Sequence, residues 1–153
     1  METITLWEEK FRSVGIEAVV EEEPYRYGTS RGGRIFLYSE KENWWSRVGS
    51  PLYMPVGEPG GPDSEMFYDL EPDGDRFDHP ASDSERFLEI GNNVFMCYKK
   101  EDTGFVKMRN PNIDYGGGLE RIATALSGDR DIYNTAFFQN ARQKLIALSG
   151  KEY

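Results

Sequence analysis

Asp114, Tyr115, Gly116, Gly117, Gly118, Leu119, Glu120 and Arg121 follow one another without interruption, so a carboxylate, three glycines and a cation fall within one short stretch. Glycines let a ligand come close to the backbone. A helix starting just after them would aim its free amides outward, and Arg121 would add a cation in its first turn. That chemistry suits a phosphate-bearing ligand. Leu119, Ile122, Ala123 and Leu126 recur at i, i+3, i+4 and i+7 and predict the buried face of such a helix, with Gly128 ending it. Arg121 then lies off that face, towards the open side. Val106, Met108 and Ile113 suit an extended segment entering a glycine turn at 116–118. Read alone, the glycine run is equally a tight strand-to-helix turn. It is neither a Walker loop nor the G-x-G-x-x-G dinucleotide fingerprint.

The chain that must position these residues has 153 residues, 38% hydrophobic and 14% aromatic, which is one domain able to bury a core. Its net charge of −9 argues against its supplying most contacts to a nucleic-acid backbone. Cys97 is the one cysteine, which excludes an internal disulfide and fits a reducing, cytoplasmic setting. His79 is the one histidine, so neither a His/Cys zinc site nor a Ser-His-Asp triad can be built. No apolar run approaches a membrane span, the acidic, polar N-terminus is not a signal peptide, and no internal repeat is visible.

Residues 3–14 read as a helix with Ile4, Trp7, Phe11 and Val14 on one face, and 16–20 as a buried strand. A polar loop over 21–33 leads to a second strand at 34–38. Trp44 and Trp45 read on composition as core and surface packing. Pro51, Pro55, Pro59 and Pro62, with Gly57, Gly60 and Gly61, exclude regular helix from 50–63. A strand at 65–70 precedes an acidic loop over 69–85. Asp69, Glu71 and Asp73 there imitate the start of a calcium-binding loop, but Pro80 stands where a bidentate Glu is required, so no metal site is expected. Strands at 92–99 and 105–108 form a hairpin through Asp102 and Gly104. Asn134 is placed to cap a last helix with Phe138, Ala141, Leu145 and Leu148 on its apolar face and Gly150 ending it. Terminal helices around hairpin strands indicate an α+β fold with an antiparallel sheet.

The string from Asp114 to Ile122 resembles the third signature motif of class II aminoacyl-tRNA synthetases, in the form carried by alanyl-tRNA synthetases. Three further stretches agree in order. Asn43-Trp44-Trp45 is similar to Asn-Phe-Trp; residues 60–69 resemble Cys-Gly-Pro-Cys-Ser/Thr-Glu-Ile-Phe-Tyr-Asp; residues 87–96 resemble Tyr/Phe-Leu-Glu-Ile-Trp-Asn-Leu-Val-Phe-Met. Leu6-Trp7-Glu8 and Gly15-Ile16 echo the helix before this region, so the likeness covers nearly the whole chain.

The resemblance implies part of a synthetase catalytic domain that activates alanine with ATP and transfers it to tRNA(Ala). Asp114 would hold the α-ammonium of alanine, Asn92 its backbone, and Trp45 would wall the pocket. Arg121 would lie against adenine and near the terminal phosphate, with Gly116 and Gly118 admitting the ligand. Mg²⁺ would come with ATP, and no protein nucleophile is implied. Gly60 and Asp63 replace the family's paired cysteines, Gly91 its tryptophan, and Gly117 its methionine. Residues including Leu52, Tyr53 and Met54 lengthen the loop after Trp45. Asp63 adds a charge that would weaken ATP or help hold Mg²⁺. The first two class II motifs are not in these residues, so a missing N-terminal catalytic segment is an expected partner and the stretch is expected to be inactive alone. A catalytically dead module that binds protein or tRNA, and a small ligase for another amino acid, are the alternatives. Asp114, Asn92 and Arg121 together argue against the first alternative, and the missing α-phosphate arginine against the second.

Overall fold

A computed structural model describes residues 2–82 and 85–153; positions 83 and 84 of the expected acidic loop lie outside the described residues. In chain order the elements are α1 (Glu2–Ser13), β1 (Val19–Glu21), α2 (Pro24–Tyr27), β2 (Gly33–Phe36), β3 (Pro59–Gly60), β4 (Asp63–Asp69), β5 (Phe87–Glu101), β6 (Gly104–Gly117), α3 (Leu119–Ser127) and α4 (Gln139–Ser149). Short 3-10 turns occupy Pro51–Tyr53 and Ile132–Asn134. β5 is the axis: β3 and β4 pair with successive parts of it, and β6 pairs along it, all antiparallel. β1 and β2 make a separate parallel pair. The fold is α+β with an antiparallel main sheet.

The hairpin of β5 and β6 is far longer than its apolar pattern predicts. Met96 pairs with Asn112 and Tyr98 with Lys107, so residues 108–111 bulge out of β6 before pairing resumes. Pro111, which lacks an N–H for the ladder, sits in that bulge. Beyond it the glycines form no turn. Gly116 and Gly117 continue β6 opposite Asn92 and Gly91, because β5 supplies the hydrogen bonds a turn would otherwise have to find. Gly118 alone is the N-cap, at φ −91° and ψ 98°.

Other boundaries also move. Ile16 N–H bonds to the Phe11 carbonyl at the end of α1, so the first strand starts at Val19, which is half exposed rather than buried. Pro24 opens one helical turn inside the expected loop, and Pro51 opens a 3-10 turn in the next, since proline is pre-shaped for a first helical position. Asn134 does not cap α4. It closes the preceding 3-10 turn, whose cap is Asp131 accepting from Tyr133 N–H, while Phe138 precedes α4 without a side-chain bond.

The expected apolar faces of α3 and α4 are corrected too. α3 buries Thr124 and Ala125, and Leu119 and Leu126 are exposed; Leu145 and Leu148 of α4 are 66% and 73% exposed. Periodicity locates an apolar stripe, but the residues buried here, Thr124 and Ala125, lie beside it. Gly128 and Gly150 do end the helices in left-handed geometry. α1 leans on the sheet through Trp7, whose indole N–H donates to Ser64 Oγ at 2.7 Å, although Val14 is exposed.

The two members of the calcium-like triplet with assigned partners serve structure. Asp69 takes a bidentate pair from Arg86 at 2.7 and 2.6 Å, joining the end of β4 to the start of β5. Arg86 is 3% exposed and also donates to the Asp75 carbonyl, which folds the acidic loop back. Glu71 pairs with Arg130. Trp44 packs between Tyr98 and Phe105 with ring centroids at 6.0 and 5.2 Å, as the composition suggested for one of the pair.

Gly61 is where the loop meets β5 most closely. Its backbone exchanges hydrogen bonds with Trp45, and a Cβ there would stand 1.9 Å from the Phe95 carbonyl oxygen. Gly61→Ala is expected to lower unfolding free energy by about 2–4 kcal/mol in urea titrations; an unchanged midpoint would contradict this packing.

Candidate functional site

Register builds the site. Asp63 pairs with Val94 and Val94 with Asp114; Glu65 pairs with Asn92 and Asn92 with Gly116. Directly paired residues share a face, as do residues two apart in a strand. Asp63, Glu65, Asn92, Asp114 and Gly116 therefore lie on one face, in two rows across three strands. The space a Cβ would take at Gly116 is open, so room remains beside Asn92.

A bulge adds a further carboxylate. Met66 pairs with Gly91 but Phe67 with Glu89, leaving Ile90 as the extra residue. That extra residue brings Glu89 to the face of Asn92 instead of the reverse. Glu89 meets Arg121 there: the guanidinium donates to the Glu89 carboxylate at 2.8 Å and to its carbonyl at 3.1 Å. Both side chains are partly exposed, so the pair contributes about 0–1 kcal/mol. It orients the arginine rather than anchoring α3.

The residues singled out in the sequence share one cleft of about 740 Å³, lined by Trp45, Asn92, Asp114, Gly116, Gly118 and Arg121 among others. Ile132, Tyr133 and Phe138, from the segment before α4, also line it. Trp45 is held by its backbone bridge to Gly61. Asp114 accepts from the Tyr115 N–H at 3.0 Å and stays exposed. Gly118 does not leave free space: a Cβ there would stand 3.0–3.1 Å from the Arg121 side chain, whose stem fills the gap.

The opposite face explains two departures from the resemblance. A Cβ at Gly91 or Gly117 would stand 2.8 or 2.6 Å from the Tyr115 hydroxyl oxygen. The tyrosine covers both glycines, occupying the place of larger side chains at those positions.

Sequence reading missed Glu65 and Glu89 as parts of this face. The i, i+2 spacing of Asp63 and Glu65 was a usable signal once β4 is started at Asp63. Burial, then the charges of Asp63, Glu89 and Glu42, push the Glu65 carboxyl up to about 7. Burial raises Asp63 as well. Glu89, Asp114 and Glu120 line the cleft itself, with Arg121 as the cation among its lining residues.

The comparisons agree with the four stretches. Residues 22–153 match the family described as tRNA synthetases class II (A). The chain belongs to that synthetase family. It is 37% identical over 123 residues to the alanine–tRNA ligase of Acidithiobacillus ferridurans, covering 78% of this chain and 13% of that protein. With the alanine–tRNA ligase of Myxococcus xanthus it shares 35% over 146 residues, covering 87% and 16%. With that of Treponema pallidum it shares 33% over 148 residues, covering 91% and 23%. The chain thus spans about 13–23% of these synthetases' length.

The raised Glu65 value sets a pH dependence. Its folded value of about 7 lies above the model-peptide value of 4.5, so folding takes up a proton between them. Stability from this group is lost as pH rises through that window and is flat above it. Glu65→Gln is expected to remove that slope and to raise stability at pH 8 by about 1 kcal/mol, solvent screening having reduced the effect. Urea titrations at pH 5–8, taken as variant minus wild type, check it; a difference independent of pH would refute it.

Proposed function

We propose that this chain forms the amino-acid pocket and part of the ATP site of an alanine–tRNA ligase, which joins alanine to ATP as alanyl-adenylate and then charges tRNA(Ala). The observation that carries this reading is the convergence of Asn92, Asp114, Trp45 and Arg121 on one cleft, in a chain whose relatives are named alanine–tRNA ligases. Asp114 is the exposed carboxylate for the α-ammonium, an ionic hydrogen bond stronger than a neutral one. Asn92, in the adjacent row, meets the amino-acid backbone beside the gap at Gly116. Trp45 limits the side chain.

ATP would run from this pocket towards the start of α3, with Arg121 beside adenine and the terminal phosphate. Among the described residues, no group of three or more His, Cys, Asp or Glu side chains is arranged to hold a metal ion; Mg²⁺ would arrive on the phosphates. It would neutralise phosphate charge as the alanine carboxylate attacks the α-phosphorus and pyrophosphate leaves. The protein's part is positioning and charge, without a nucleophile of its own.

The rest of the reaction falls to other parts of a synthetase. The uncovered leucines of α3 and α4 would be covered by them, including an N-terminal segment with the first two class II motifs. With a formal charge of −9, this chain would leave most tRNA contacts to those parts. No helix of the described residues is long and apolar enough to cross a membrane, and the reaction belongs in the cytoplasm.

Asp114→Asn tests the reading. Its carboxylate gains an ammonium only with ligand, so the variant is expected to bind L-alanine at least about tenfold more weakly in NMR titration, with a melting temperature near wild type. A large fall in melting temperature with unchanged alanine affinity would make Asp114 structural.

A further inference from the structure

The face that carries Asn92 and Asp114 also carries a buried carboxylate to which the pocket reading gives no role. Asp63 is 9% exposed. Its Oδ2 accepts from Asn92 Nδ2 at 3.0 Å, and the same amide donates to Glu65 Oε1 at 3.3 Å. The Asn43 amide also acts on the Asp63 carboxyl, while Asn43 Oδ1 accepts from Tyr38 N–H at 3.0 Å. Asp63 thus lies between two carboxamides, one from the Asn-Trp-Trp stretch and one from β5.

A carboxamide has an accepting end and a donating end, and rotation by half a turn exchanges them. Ionised carboxylates can only accept. Asp63, on the β4 side of Asn92, therefore draws the NH₂ towards β4 and leaves the oxygen pointing away, and Glu65 Oε1 accepts from the same amide. Asn92 Oδ1 is buried and has no hydrogen-bond partner. A buried unpartnered acceptor is costly and calls for a donor. We propose that Asp63 is a positioning residue for amino-acid binding: with Glu65 it locks the Asn92 carboxamide so that Oδ1 is presented as an acceptor to the ligand's ammonium, alongside Asp114.

The role rests on the amino-acid pocket reading and deepens it. Asp63 acts through Asn92 and need not touch the ligand. The two rows make this possible, because Asn92 has carboxylates on its β4 side and the open gap at Gly116 on the other. A neutral amide at 63 can donate as well as accept, so it would no longer enforce one orientation.

The test uses the full chain and two readouts in ¹H–¹⁵N NMR: the Asn92 side-chain NH₂ signals, and titration with L-alanine against propionate, which lacks the ammonium. In wild type the NH₂ signals are expected to be shifted and protected by the carboxylates, and L-alanine but not propionate to move Asn92 and Asp114. D63N is expected to release the NH₂ signals and to weaken L-alanine about tenfold. D63C, carrying the residue of the resembling family, gives the same readouts if D63N does not fold. NH₂ signals and L-alanine affinity unchanged in the variants would overturn the proposal. A purely structural Asp63 would lower the melting temperature without altering the preference for L-alanine over propionate, and that too would overturn it. If wild type ignores L-alanine, the pocket reading fails, and the NH₂ signals of D63N alone decide whether Asp63 orients Asn92.

Discussion

The structure depends on the register of β5 between β4 and β6. Val94 is held opposite Asp63 on one side and Asp114 on the other, and Asn92 opposite Glu65 and Gly116. Because side chains alternate with a period of two, a slip of one residue in either pairing would turn its part of the site to the far face. Several features pin that register. Arg86 binds Asp69 at one end of β4, the loop glycine Gly61 locks against Phe95 at the other, and the bulge at Ile90 sets where Glu89 faces. The chemistry is concentrated where β4, β5 and β6 run side by side.

The same register creates an electrostatic tension. Asp63, Glu65, Glu89 and Asp114 are brought to one region, with the Arg121 guanidinium bonded to Glu89. Burial first, and then this crowding, disfavours full ionisation and raises the Asp63 and Glu65 carboxyls. It also favours a ligand that brings a cationic group, and an ammonium does so. A polyanion would be tolerated at the other end of the cleft, beside Arg121 and α3, where it can meet positive groups.

Much of this arrangement was legible in the residues. The string from Asp114 to Arg121, Asn92 and the Asn-Trp-Trp stretch pointed to one family and one cleft. The α+β class followed from terminal helices and hairpin strands. Strand lengths did not, because β6 passes through Pro111 in a bulge that local patterning reads as an end. The glycines looked like a turn, since a single strand's pattern cannot show that a partner will keep it extended. The helix faces were misjudged for another reason: Leu119 and Leu145 mark apolar stripes, but periodicity does not say what covers them. Glu65 and Glu89 escaped notice because their places on the face depend on a strand start and a bulge.

The most direct measurement is a crystal structure of the chain with a non-hydrolysable alanyl-adenylate analogue. The account places the ammonium between Asp114 and Asn92 Oδ1, the methyl group against Trp45, and the adenosine towards Arg121. An analogue bound outside this cleft, or with its ammonium turned away from Asp114, would contradict it.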